Sequence, residues 1–246
     1  MLGLPSQVTA CLFDLDGVLT QTALVHNAAW KQTFDTFLKS WADQLGQPFV
    51  PFDSAADYHR YVDGRQRADG VRTFLASRGI TLPEGDPDDT PDRETVNGIG
   101  NRKNLLVLQK IKEGAVQVYP GSVEYLKAAK AAGLRRAVVS ASANCKDVLE
   151  AAGIADLLEA RVDGVVAREL GLPGKPAPDT FLKGAELLGV DPANCAVYED
   201  AQAGVAAGRA GGFGIVIGVD RVGQADALRE HGADIVVTDL SELLTQ

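Results

Sequence analysis

Apolar and polar positions follow two different textures along this chain, and the change comes near residue 114. Residues 8–13 (VTACLF) are a short apolar run stopped by an aspartate, the pattern of a buried strand. Between 26 and 45, Trp30, Phe34, Phe37, Leu38, Trp41 and Leu45 recur at spacings of three and four, which predicts one long helix with a single apolar stripe. Residues 71–77 and 102–112 read as further helix, and the Pro/Gly/Asp-rich stretch 83–92 reads as a loop. No strand pattern is visible here. From 116 onward helices predicted at 122–132, 146–152, 180–188, 202–210 and 225–231 alternate with strands at 137–139, 162–166, 195–198, 214–219 and 234–237. Such alternation implies right-handed βαβ units and a parallel sheet covered on both faces. The expected fold class is therefore α/β: a doubly wound parallel sheet built from residues 1–21 and 114–246, with a helical insert, 22–113, leaving directly after the first strand.

Composition narrows the function classes. At 246 residues, 46% apolar and 23% charged, the chain can bury a sizeable core, which excludes disordered and fibrous classes. The net charge of −9 lacks the basic footprint of a nucleic-acid or anionic-membrane binder, so no nucleic acid and no membrane are expected as partners. An anionic small substrate requires cations concentrated locally. No apolar run approaches the ~18 residues of a membrane span, and the opening MLGLPSQ lacks the charged and apolar regions of a leader. A cytoplasmic monomer is expected. Cys11, Cys145 and Cys195 are odd in number and lack CxxC spacing, so they read as reduced, small hydrophobic residues.

Ligands of open α/β sheets bind beyond the carboxyl ends of the strands, so the polar residues standing there are the candidates. They are Asp14-Leu15-Asp16-Gly17 after the first strand, Ser140-Ala141-Ser142-Ala143-Asn144 after the next, Lys175-Pro176 before a later helix, and Glu199-Asp200 after 195–198. Singly, each has a plainer explanation: Asp16-Gly17 as a turn, Asn144 and Asp200 as helix N-caps, Lys175 as a solvated lysine. Together, four strand ends carrying complementary phosphate and metal chemistry argue for a site. A calcium loop starting at Asp14 fails, because its twelfth position is Val25 where a bidentate glutamate is needed. The glycine-rich segment 208–218 precedes a strand, the wrong context for a phosphate loop, and reads as a helix stop and turn.

Phosphoryl transfer needs an in-line nucleophile, neutralised phosphate charge and a proton donor for the leaving oxygen. Asp14, first off the strand, is the expected nucleophile. Asp16 faces the same centre while Leu15 points away, which suits a general acid/base. Asp14, the backbone carbonyl of Asp16 and Asp200 form a partial magnesium shell, with Glu199 beside or behind it. Ser140 and Lys175 would hold the non-bridging phosphate oxygens.

These residues, in this order, resemble the haloacid dehalogenase superfamily. The motifs are Asp14-Leu15-Asp16-Gly17-Val18-Leu19-Thr20, Ser140, Lys175 in GKPAPD, and Glu199-Asp200 in EDAQAGVAAGRAG. The resemblance spans the chain and implies a Rossmann-like core with an α-helical cap domain at 22–113. Within the superfamily the chain is similar to the β-phosphoglucomutase-like family, on LFDLDGVLTQTALVHNAAWK, SASAN, VDGRQRADG and RKN. That likeness implies Mg2+ as cofactor and glucose 1,6-bisphosphate as the bound intermediate between β-glucose 1-phosphate and glucose 6-phosphate. It implies phosphate contacts from Ser140, Ala141 and Lys175, and substrate contacts from Thr22, His26, Arg67, Lys103, Ser142 and Asn144. By default His26 is structural, Trp30 core or hinge packing, and Arg67 and Lys103 surface charges. Two departures stand out: Gln21 replaces an acid usual before the threonine, and Ala143 stands where a lysine is common. The second leaves the distal phosphate to Arg67, Ser142 and Asn144.

Three functions remain open on these residues: a mutase that returns the phosphoryl group to the sugar, a sugar-phosphate phosphatase that gives it to water, and a non-catalytic phospho-receiver domain. A DxDG at the first strand and a large insert argue against the last.

Overall fold

In this computed structural model, which describes residues 2–114 and 116–245, packing divides the chain into two compact units. One is Met1–Thr22 with Val116–Gln246, the other Ala23–Ala115.

The first unit is built on one six-stranded sheet. Its strands are β1 (Ala10–Phe13), β2 (Arg135–Val139), β3 (Ala160–Val162), β4 (Cys195–Glu199), β5 (Ile215–Val219) and β6 (Ile235–Val237). The spatial order is β3-β2-β1-β4-β5-β6 and every pairing is parallel. All four residues of β1 are buried, and so are all five of β4 and β5. Such runs are apolar rather than alternating because both faces are covered. One face packs Leu12, Val139 and Val197 against Phe181 of α7 (Asp179–Leu188) and Val205 of α8 (Gln202–Ala210). On β1 and β4, Phe13 stacks on Tyr198 at 4.4 Å, with Tyr125 of α4 (Pro120–Ala131) edge-on to Phe13 at 6.4 Å. The Tyr125 and Tyr198 hydroxyls lie 2.8 Å apart, so two buried polar groups satisfy each other. The remaining helices of this unit are α5 (Cys145–Ala151), α6 (Gly164–Glu169) and α9 (Ala225–Glu230).

Register positions the chemistry. Phe13 is paired with Val138 on one side and Tyr198 on the other. Asp14, Ser140 and Glu199 therefore come to the same carboxyl edge, and Asp14 N–H still donates to Tyr198 O at 2.9 Å.

The second unit is helical, and among its described residues there is no strand. Its α-helices are α1 (Thr22–Leu45), whose first residue belongs to the sheet unit, α2 (Arg67–Ser77) and α3 (Val96–Lys112), with a turn of π-helix at Tyr58–Val62. The α1 stripe buries Trp30, Phe34, Phe37 and Leu38 against Phe52, Val71, Phe74, Leu75 and Ile99. Phe34 is central, 4.9 Å from Trp30, 5.3 Å from Phe52 and 4.2 Å from Phe74. Truncating it to Ala would cost about 3–5 kcal/mol.

Several expected boundaries move. Residues 162–166 are not one strand: β3 ends at Val162, and the Asp163 carboxylate accepts from the N–H groups of Val165 and Val166 at 3.0 Å, starting α6 there. Helix begins at Arg67 rather than 71 and at Val96 rather than 102, where Thr95 caps the Gly98 N–H. Leu45, counted in the α1 stripe, is 54% exposed at the helix end. All three cysteines are free and buried. Among the described residues no helix is long and apolar enough to cross a membrane.

Candidate active site

Asp14 leaves the end of β1 into a buried position. The Lys175 ammonium donates to Asp14 Oδ1 at 2.5 Å, to Glu199 Oε1 at 2.5 Å and to Val139 O at 3.1 Å. It also lies 4.8 Å from the Phe181 ring centroid. Burial alone would lower the lysine's pKa, but the two carboxylates outweigh it and hold the ammonium above its ordinary value. Lys175 is therefore a fixed cation. Burial also dominates at Asp14 and raises its pKa well above the usual carboxylate range. Lys175 opposes that shift, while Glu199 and Asp16 add to it.

Glu199 is fully buried, and both of its oxygens have donors: Lys175 on Oε1 and the Ala201 N–H, at 3.0 Å, on Oε2. It fits because residue 204, on the first turn of α8, is glycine. Asp200 packs in the same way against Gly17, where a Cβ would meet its Oδ2 at 1.8 Å. Gly17 has φ of 92°, which favours glycine independently.

Asp16 has a different environment. Thr22 Oγ1 donates to its Oδ1 and itself lies 2.6 Å from Thr20 Oγ1. Ser140 Oγ reaches its Oδ2 at 3.4 Å. Leu15 between the two aspartates is fully buried in the core. After β2, Ser140 Oγ accepts from Ser142 N at 3.1 Å and Ser142 Oγ from Asn144 N at 3.2 Å, so two successive serine turns shape the loop through Ala141. Asn144 does occupy the N-cap of α5, but its side chain makes no cap hydrogen bond.

Asp14, Glu199 and Asp200 each offer a carboxylate oxygen, all within 4.8 Å of one another. A hard, all-oxygen donor set suits magnesium rather than a soft metal. Charge gives a second test of fit: Asp14 and Glu199 share one ammonium, the Asp200 carboxylate lies with them, and a divalent cation would offset the excess. The residues present fit the ion.

In the helical unit, Lys103 is buried, with Nζ 2.8 Å from His26 Nδ1 and 4.9 Å from the Trp30 ring centroid. The lysine and histidine expected as substrate contacts, and by default as surface charge and structural residue, form a pair on the aromatic core. Arg67, the first residue of α2, donates from Nη2 to Asn101 Oδ1 at 3.2 Å. Asn101 in turn donates to the carbonyls of Pro87 and Asp89, both at 2.9 Å.

Sequence reasoning brought together Asp14, Lys175, Glu199 and Asp200 and missed Gly204, which makes room for Glu199, and Gln224, whose Nε2 donates to Asp200 O at 2.9 Å; in the helical unit it missed Asn101, the partner of Arg67. A glycine in the first turn of a predicted helix was a usable signal for Gly204; Gln224 and Asn101 carried none.

A parallel sheet with this acid, hydroxyl and lysine edge defines a phosphotransferase-type α/β enzyme, and sequence comparison specifies it. A model of the haloacid dehalogenase-like hydrolases matches residues 8–212. The chain belongs to the haloacid dehalogenase superfamily, in its β-phosphoglucomutase-like family. It is 58% identical to a β-phosphoglucomutase of Mycobacterium bovis over 99% of this chain and 94% of that one. It is 31% identical to a β-phosphoglucomutase of Bacillus subtilis, covering 95% and 91%. Among solved structures it is similar to β-phosphoglucomutase from Clostridium difficile, with TM-score 0.74, 27% identity and coverage of 96% and 93%. Membership removes the phospho-receiver alternative.

Proposed function

We propose that this enzyme is a β-phosphoglucomutase, interconverting β-glucose 1-phosphate and glucose 6-phosphate through glucose 1,6-bisphosphate. The observation that carries the reading is the unequal setting of the two aspartates: Asp14 is bound to a fixed ammonium, while Asp16 is bound to two hydroxyls. Two carboxylates in different environments take different roles. The 58% identical M. bovis relative supports the choice of substrate.

An Asp14 oxygen attacks phosphorus in line, the bond from phosphorus to the sugar oxygen breaks, and Asp16 gives its proton to that oxygen. At the 1-phosphate of glucose 1,6-bisphosphate that step releases glucose 6-phosphate; in the second half Asp16 takes the proton from the 6-hydroxyl of a fresh β-glucose 1-phosphate, which attacks the aspartyl phosphate, breaks its bond to Asp14 and forms the bisphosphate again. Thr22 and Ser140 hold Asp16 for both proton movements. Lys175, Ser140 and the backbone at Ala141 bind the transferring phosphoryl oxygens. Asp14, Asp200 and the Asp16 carbonyl would hold magnesium, which supplies charge neutralisation between an anionic nucleophile and an anionic phosphate. Glu199, with both oxygens engaged, orients Lys175 behind them. Ser142 and Asn144 in the sheet unit and His26, Arg67 and Lys103 in the helical unit are assigned to the sugar phosphate. The family's hydrolases use the same core groups and pass the phosphoryl group to water.

The deciding experiment incubates the protein with magnesium, β-glucose 1-phosphate and a trace of glucose 1,6-bisphosphate, and measures glucose 6-phosphate against inorganic phosphate. Isomer without phosphate is expected; stoichiometric phosphate release would replace the mutase with a phosphatase.

A further inference from the structure

Arg221, in the turn after β5, has nothing in its sequence context to distinguish it from the other lysines and arginines. Its side chain is 13% exposed and joins three separate parts of the sheet unit. Nε donates to Gly17 O at 3.0 Å and Nη2 reaches Val18 O at 3.4 Å. Nη1 donates to Thr238 O at 2.6 Å and to Asp239 Oδ2 at 3.1 Å, and Nη2 also donates to Ser122 Oγ at 3.2 Å. The guanidinium carbon lies 3.6 Å from the Tyr119 ring centroid. A planar fork with five donors can make this set at once; an ammonium cannot.

The consequence falls on the segment just after Asp14. Gly17 N–H donates to Thr20 O at 2.7 Å. Because a peptide unit is planar and trans, that bond also sets the direction of the Asp16 carbonyl, which shares the unit. Arg221 fixes the next unit through Gly17 O. With both units pinned, Gly17 keeps its positive φ and its Cα stays against the Asp200 carboxylate.

We propose that Arg221 is a positioning residue for the phosphoryl-transfer site, holding the Asp16 carbonyl and the Asp200 carboxylate in the arrangement that binds a divalent cation. It acts through Gly17 and touches no reacting atom. The inference rests on the assignment of those two groups as cation ligands.

Arg136 is the control. It is a buried arginine with a similar stapling role away from the site, donating to Leu157 O at 2.8 Å and paired with Glu159 at 2.9 Å. Arg221→Lys and Arg136→Lys are compared by Mn2+ affinity from electron paramagnetic resonance, by amide exchange across residues 14–22 in metal-free protein, and by kcat and KM for β-glucose 1-phosphate. Arg221→Lys is expected to weaken Mn2+ binding and speed exchange by about tenfold each, and to lower kcat while leaving the sugar-phosphate KM within about twofold. Arg136→Lys should leave all of these within about twofold of wild type even where it lowers the melting temperature. A folded Arg221→Lys with unchanged exchange and Mn2+ affinity overturns the proposal, as does an Arg136→Lys that shifts both equally. Should Arg221→Lys fail to fold, Asp239→Asn removes only the ionic anchor and should move both readouts the same way by less; no movement overturns the proposal. A wild-type protein that binds no Mn2+ overturns the cation site itself, and exchange, which involves no ligand, then decides separately whether Arg221 holds the loop.

Discussion

A Cβ on Gly204 would lie 1.8 Å from Oε1 of Glu199, the oxygen that also accepts from Lys175. The smallest possible change at residue 204 should therefore reach the nucleophile through two intervening side chains. Gly204→Ala is expected to displace Glu199, leave Lys175 with one carboxylate, and destabilise the sheet unit by about 3–5 kcal/mol, the usual result of breaking a buried ion pair. Chemical denaturation measures the loss. Labelling by a small acyl phosphate should fall with it. A variant of wild-type stability would show that Glu199 can move without cost.

Asp14→Asn should separate chemistry from stability. Turnover should fall by at least about 10⁴-fold, as for loss of other nucleophiles. Burial disfavours the charged form of Asp14 while Lys175 opposes that, so in chelator near pH 8 the neutral isostere should cost less than the ~3–5 kcal/mol usual for breaking a buried ion pair. A drop in melting temperature equivalent to that full cost would mean that the pairing with Lys175 outweighs burial.

The same direction of shift couples pH to metal. Because the folded pKa of Asp14 lies above its unfolded value of 3.8, the neutral carboxyl contributes stability that is complete below that value. The contribution is lost as pH rises through the folded value. A cation binds the ionised form, so below that folded value magnesium should release a proton on binding, and its increment in melting temperature should grow as pH rises through it. Melts with and without magnesium, together with an indicator dye for the released proton, check this. An increment independent of pH would contradict it.

Asn101 ties Arg67 to the 83–92 loop through two carbonyls. If Arg67 binds substrate phosphate, Asn101→Ala should raise KM for β-glucose 1-phosphate about three- to tenfold and leave kcat nearly unchanged, since only the aim of the guanidinium is lost. Steady-state kinetics decides it, and a fall in kcat at constant KM would move Arg67 away from ground-state binding.

What could be read from the sequence depended on distance along the chain. Asp14 and Glu199 were visible because each follows an apolar run, and parallel register then brings such ends to one edge. The run ending at Val166 misled for a local reason: Val165 and Val166 look like strand, yet Asp163 before them caps a helix. The start of α3 was hidden by Gly98 and Gly100, poor helix formers, although a Cβ at 98 would sit 2.4 Å from Arg93 O. The bond from Arg221 to Gly17 spans 204 positions, and Lys103 meets His26 across 77. No periodicity or spacing carries information about pairs of that kind; only the folded chain brings them together.

The chain leaves the sheet unit after Thr22 and re-enters it at Val116, and the segments next to those points lie side by side, with Gln21 N–H on Gln117 O at 2.8 Å and Tyr119 N–H on Leu19 O at 3.0 Å. Exit and return are thus about one strand spacing, ~5 Å, apart. Any folded segment whose own ends meet at that distance can be spliced there without stretching the sheet. The doorway makes this sheet a chassis: evolution, or an engineer, can exchange what hangs from it while the Asp14 edge is inherited unchanged.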